Sequence, residues 1–137
     1  MLDQFLVGGA VSVCNITIHA LVMTLIVRAA HASVTKRIAQ PSLRLTGIMI
    51  LAVLILMAAH TSEVMVWSLA YLIVSAVPIG TNLVYFAFVN YTTLGYGDVV
   101  PVSEWQLLGP MTAMNGILLF GWSTAVIFEV LRRAMAR

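Results

Sequence analysis

Long apolar runs, separated by short polar segments, organise this chain. The first, Phe5 to Val27, is bounded by Asp3 and Arg28. At about 1.5 Å of rise per residue, a helix of that length crosses a hydrocarbon layer of roughly 30 Å. The polar segment Arg28 to Arg44, with Lys36, Arg37 and Pro41, reads as a loop with room for a short interfacial helix. From Leu45 to Ile79 the chain is again apolar, interrupted by His60, Thr61, Ser62 and Glu63 and ended by the turn signals Pro78, Gly80 and Asn82. This run is too long for one upright span and too short for two, so we expect a single long helix, tilted or projecting beyond the layer, that ends near Val77. Thr81 to Thr92 provides about three helical turns, roughly 18 Å, and falls short of a span. A short helix at membrane depth followed by glycines is a re-entrant element. The last run, Leu107 to Leu131, follows Ser103 and Gln106, a capping-box pattern, and closes on Arg132, Arg133 and Arg137. Gly109-Pro110 removes one helical donor and is expected to kink its first turns.

Composition agrees with this pattern and narrows it. Of 137 residues, 61% are hydrophobic and 9% charged, with mean hydropathy +1.02, whereas about a quarter of a soluble domain is charged. The fold class is therefore all-α integral membrane, with three transmembrane helices and a re-entrant helix and loop. The N-terminal run lacks the basic flank of a secretory signal and exceeds a signal core of roughly 15 residues, so it reads as a permanent span. Cys14 alone excludes an internal disulfide framework. The net charge of +2 carries no basic stripe with interleaved aromatics, which argues against nucleic acid. All seven basic residues fall in two segments, Arg28 to Arg44 and Arg132 to Arg137. Three spans place both on one side, and the positive-inside rule makes that side cytoplasmic, with the N terminus outside and the C terminus inside.

Residues Thr92 to Asp98 read T-T-L-G-Y-G-D. A potassium ion leaving water must exchange hydration oxygens for others at little net cost, and backbone carbonyls aimed at a common axis supply them. Gly95 and Gly97 permit the backbone angles that aim successive carbonyls the same way. The heptad resembles the signature of potassium channels, from which it departs only by Leu94 in place of valine. A short aromatic helix before it and V-V-P-V-S-E-W after it fit the same family, and the resemblance covers about Leu45 to Arg133. The chain is thus similar to the small bacterial channels built on a two-helix pore, with one extra N-terminal helix. The resemblance implies two parts, 1–44 as N-terminal transmembrane helix and cytoplasmic loop and 45–137 as pore domain. It also implies a homotetramer in the bacterial inner membrane, with K⁺ held by the carbonyls of Thr93, Leu94, Gly95 and Tyr96 and the Thr93 hydroxyl, and Gly97 completing the filter. Tyr96 is expected to splay outward and brace the loop against Tyr85 and Phe86. Asp98 stands at the outer mouth, either to attract cations or to brace the filter from behind. Potassium-selective passive conduction is the expected function. A weakly selective cation channel, which Leu94 would permit, and a non-conducting accessory protein that retains the pore fold are the alternatives. No enzymatic activity and no cofactor beyond the permeant ion are expected.

Outside the motif, Asn115 is the one amide in the middle of the last run, where it faces either the inner cavity or a neighbouring helix. Gly116 and Gly121 are either hinges or sites of close helix packing. His60 and Glu63 share a helical face, and antiparallel packing of the first two spans brings His19 near them as a small proton- or cation-sensitive cluster, or as a hydrogen-bonded packing group. H-x-x-E is not a zinc-protease motif. The sequons at Asn15 and Asn90 lie inside membrane segments and are read as chance. Trp67, Tyr71, Trp105 and Trp122 are candidates for interface anchors, and the first span lacks the repeated arginines of a voltage sensor.

Overall fold

A computed structural model describes residues 1–34 and 41–135. Its elements are α1 (Leu2–Val34), α2 (Pro41–Ile73), α3 (Leu83–Tyr91), a 3-10 turn (Ser103–Trp105) and α4 (Leu108–Met135). The protein is all-helical, and the segments Leu2–Ala29, Leu45–Ile73 and Ser103–Arg132 are each long and apolar enough to cross a membrane. Lys36, Arg37 and Arg137 lie outside the described residues. The described parts of the expected loop are helical instead: α1 continues six residues past Arg28 to Val34, and α2 begins at Pro41. Proline at a first helical position loses no bond, because that amide has no partner inside the helix in any case.

Local chemistry also moves the other boundaries. α2 stops at Ile73, short of Val77, because Ser75 adopts a left-handed φ of 51°. There Ala76 N donates to the Tyr71 carbonyl at 3.0 Å and Ser75 N to Leu72 at 3.2 Å, the paired bonds of a Schellman ending. α3 starts where the Asn82 side chain accepts the Tyr85 amide at 3.0 Å, so Thr81 lies outside it. The Ser103 capping box does not form. Ser103 Oγ bonds instead to Glu104 at 3.1 Å, and the acceptor at the entrance to α4 is Gln4 Oε1, which takes the Leu107 amide at 2.8 Å. Pro110 sits in the first turn of α4, where its missing donor has no intrahelical partner, so the sequence gives no cause for a kink there.

α1 buries Gln4, Gly8, Asn15, His19, Met23 and Ile26, a seam at helical spacing along one face. At Gly8 an added Cβ would meet the Met111 thioether at 2.5 Å, so α1 packs closely against α4. Two apolar clusters flank the middle of the bundle. One gathers Trp67, Tyr71, Phe86, Tyr91 and Leu108 at the filter level. The other gathers Met23, Ile26, Leu56, Val126 and Val130 toward the opposite end. Trp67 and Tyr71 are fully buried in the first cluster. They are core residues rather than interface anchors, and their polar ends bond to Asn115 at 3.0 Å and Thr112 at 2.5 Å.

Candidate functional site: the filter loop and the polar layer behind it

The loop that leaves α3 has an unusual backbone. Thr93, Gly95 and Gly97 have φ values of 61°, 55° and 77°. Alternate residues are thus left-handed, which turns successive peptide planes so that their carbonyls can share a direction. The amides of Leu94 and Gly95 both donate to the Val89 carbonyl, at 2.9 and 3.2 Å, and the Thr93 amide to Asn90 at 2.9 Å. These donors are committed to α3, which leaves the loop's carbonyls without intrachain amide partners from these residues. Glycine holds such angles at little cost; Thr93 does not. A β-branched residue at positive φ stores strain of roughly 1–3 kcal/mol, which sequence reading did not anticipate.

Thr92 through Asp98 are all exposed in the single chain. Asp98 accepts the Tyr85 hydroxyl at 2.8 Å. That carboxylate holds the Tyr85 phenol above its ordinary value. The expected brace by Tyr96 is not what holds the loop within one chain. Tyr96 is 66% exposed, Phe86 packs at a tilt against Tyr71 with ring centroids 4.9 Å apart, and Tyr85 is engaged by Asp98. On the return, Val102 N bonds to the Ala76 carbonyl at 2.9 Å, so the loop is anchored to the ends of α3 and α2.

Behind the loop lies a buried polar layer. His19 Nδ1 meets Glu63 Oε1 at 2.8 Å, and His60 Nδ1 meets Glu63 Oε2 at 2.9 Å. Tyr91, the last residue of α3, donates its hydroxyl to Glu63 Oε2, and that hydroxyl is 2.9 Å from His60 Nδ1. On α4, Ser123 Oγ lies 2.9 Å from His60 Nε2 and 3.3 Å from His19 Nε2. α1, α2 and α3 thus meet at the Glu63 carboxylate, and α4 joins them through the two imidazoles. His19 and Glu63 are fully buried, with 15% of the His60 side chain exposed, so charge here is compensated inside the bundle or not at all. Donor atoms of His19, His60 and Glu63 lie within 4.8 Å of one another and are of zinc-binding type. Their direct contacts of 2.8 and 2.9 Å are nevertheless hydrogen-bond lengths, whereas two ligands of one tetrahedral zinc stand about 3.3 Å apart.

A second polar knot adjoins this layer. Asn115 Oδ1 accepts from Trp67 Nε1 at 3.0 Å and from Asn15 Nδ2 at 3.1 Å, and Asn15 also reaches the Glu63 carbonyl at 3.2 Å. Asn115 is therefore turned into the helix bundle and away from any cavity lined by the exposed face of α4. Gly116 is a packing glycine, since a Cβ there would collide with the Tyr91 carbonyl. Gly121 lies on the exposed face of α4 with nothing within 4 Å of a Cβ. Tyr91 and Ser123 are members of the layer that sequence reading did not single out, and Asn15 was read only as a chance sequon. The seam spacing of Gln4, Gly8, Asn15 and His19 was the available signal for α1, while Tyr91 and Ser123 had none.

A family model described as an ion channel matches residues 48–133, well over half the chain. Comparison with curated proteins gave no match, and neither did comparison with solved structures.

Proposed function

Because this chain belongs to the ion-channel family, an integral membrane class that transports ions and does no covalent chemistry, we propose that it is a potassium-selective channel. Four copies surround one axis, and Thr93 to Gly97 of each line the ion path, since a closed ring of carbonyl ligands needs more than the one loop a chain supplies. The observation that carries this reading is the alternation of left-handed backbone at Thr93, Gly95 and Gly97, with the amides of Thr93, Leu94 and Gly95 turned back onto α3. Carbonyls of Thr93, Leu94, Gly95 and Tyr96 take K⁺, with the Thr93 hydroxyl at the inner end. The exposure of the whole loop in the single chain supports assembly, as does the apolar exposed face of α4 with Met114, Ile117, Leu118 and Phe128. Residues 45–137 form the pore unit, and 1–44 the added helix and its cytoplasmic connection. The N terminus faces outward and the C terminus the cytoplasm, an orientation that the clustering of basic residues supports, and the membrane is a bacterial inner membrane, as the resemblance to small bacterial channels implies.

α3 ends at the filter, so its negative end, roughly half a charge, favours a cation there. Conduction is passive and single-file. The test is flux from purified protein in liposomes under bi-ionic conditions. A clear preference for K⁺ over Na⁺ is expected, because Leu94 contributes its carbonyl and not its side chain. Equal currents would instead identify a weakly selective cation channel, and absence of flux from folded protein an accessory membrane protein.

A further inference from the structure

The contacts around Glu63 close a ring: Glu63 Oε1 to His19 Nδ1, His19 Nε2 to Ser123 Oγ, Ser123 Oγ to His60 Nε2, and His60 Nδ1 to Glu63 Oε2. Each contact needs one proton, so the four contacts need four. A neutral imidazole brings one proton, a serine hydroxyl one and an ionised carboxylate none. Two neutral histidines and Ser123 together bring three, and one contact is left as lone pair against lone pair. One further proton makes one histidine an imidazolium. It completes the fourth contact and brings the ring to zero net charge, since the carboxylate is matched. Removing that proton leaves a buried negative charge, and adding another leaves a buried positive one; either is expensive at this depth. The groups facing the ring are His19 from α1, His60 and Glu63 from α2, Tyr91 from α3 and Ser123 from α4.

Tyr91 hangs on this ring by its hydroxyl and is also wedged by its carbonyl against Gly116. Its chain neighbours begin the filter loop. We propose that Tyr91 is a positioning residue for the inner end of the filter, held there by a ring that shares one extra proton between His19 and His60. This rests on the channel reading above and assigns α1 a part in conduction, since His19 is its contribution to the ring. When the ring gains or loses a proton, its contacts reorganise, Tyr91 is no longer held in one place, and Thr93 moves with it.

Potassium flux from the full-length protein in liposomes, measured from about pH 5 to 9, tests the idea. The parent should show a bell-shaped profile. Glu63→Ala opens the ring and should lose flux at least about fivefold (roughly 1 kcal/mol). Glu63→Gln should recover it with a flat profile, because an amide presents a donor nitrogen at one end and an acceptor oxygen at the other and closes the ring with both histidines neutral. Tyr91→Phe cuts the filter from the ring and should flatten the profile at reduced flux. Identical profiles for the parent and Glu63→Gln, or a parental profile in Tyr91→Phe, would overturn the proposal. So would a parental profile that EDTA shifts, since it points to a metal in the ring. If the parent conducts at no pH, the channel reading fails, and imidazole ¹⁵N spectra then judge the ring by itself. Three N–H protons across His19 and His60 in the parent against two in Glu63→Gln support the ring, and two in both refute it.

Discussion

The filter loop and the polar layer behind it are built on opposite plans. In the loop, Thr92 to Asp98 are exposed and the backbone supplies the chemistry. In the layer, His19, Glu63, Tyr91 and Asn115 are sealed from solvent and side chains supply it. The loop's carbonyls gain no hydrogen bond from the amides of Thr93, Leu94 and Gly95, whereas the ring around Glu63 closes within one chain through residues 44 and 104 positions apart. On the proposed reading, assembly completes the first, while folding of the single chain completes the second. Changes in the loop should abolish conduction while leaving folded protein, and changes in the layer should weaken the fold.

The largest effect should come from Gly95→Ala. Its φ of 55° is costly for alanine, roughly 1–2 kcal/mol. Within the chain a Cβ meets only the Thr93 carbonyl at 3.9 Å. Folding of the monomer should therefore survive and the carbonyl geometry should not. Loss of K⁺ flux with intact tetramers in detergent is expected, and normal flux would sink the filter assignment. Glu63→Ala makes the opposite demand. It strips two histidines and a tyrosine of their shared acceptor, a loss of about 3–5 kcal/mol for breaking a buried pair. A thermal unfolding scan should show a large drop in midpoint, and an unchanged midpoint would mean the layer is not structural.

These two regions also differ in how far sequence could reach them. The loop's backbone was legible because it is local: T-L-G-Y-G places glycines at 95 and 97, and both take the positive φ that glycine allows. Even so, Thr93 shares their left-handed backbone, and no residue preference announces that in a threonine. The helices were legible from hydropathy, but their ends depend on single contacts. Ser75 ends α2 by adopting a left-handed turn that glycine usually fills, and Gln4 serves α4 from 103 residues away. In the layer, the proximity of His60 and Glu63 follows from helical spacing. Tyr91 and Ser123 join them only because of how four helices cross, which periodicity within one helix does not encode. Asn115 could not be assigned to cavity or bundle for the same reason, since its partners Trp67 and Asn15 lie on other helices.

Between the two regions stands Gly116, where α4 touches the carbonyl of Tyr91. Gly116→Ala forces a methyl into that contact, and overpacking of this kind costs typically 1–3 kcal/mol. Lower thermal stability and reduced flux should appear together, because the displaced residue adjoins the filter. Gly121→Ala has open space around it in the chain and should leave stability within about 0.5 kcal/mol. If Gly121→Ala instead alters open probability with no change in stability, the hinge belongs at Gly121.

The smallest expected effect concerns the far end of α1. Gln4 is buried, and its Oε1 accepts the Leu107 amide at 2.8 Å, just ahead of α4, where helix-start amides lack intrahelical partners. Removing a side chain that satisfies such a donor costs about 1 kcal/mol, by analogy with loss of an N-cap. Gln4→Ala should therefore lower the unfolding midpoint slightly while the pH profile of flux stays parental, since the ring around Glu63 is untouched. Gln4→Glu keeps an acceptor and places negative charge near a helix start, where it is favoured, so it should recover most of the loss. A Gln4→Ala variant with parental stability would show that α1 is held to α4 by Gly8, Asn15 and His19 without help from the cap.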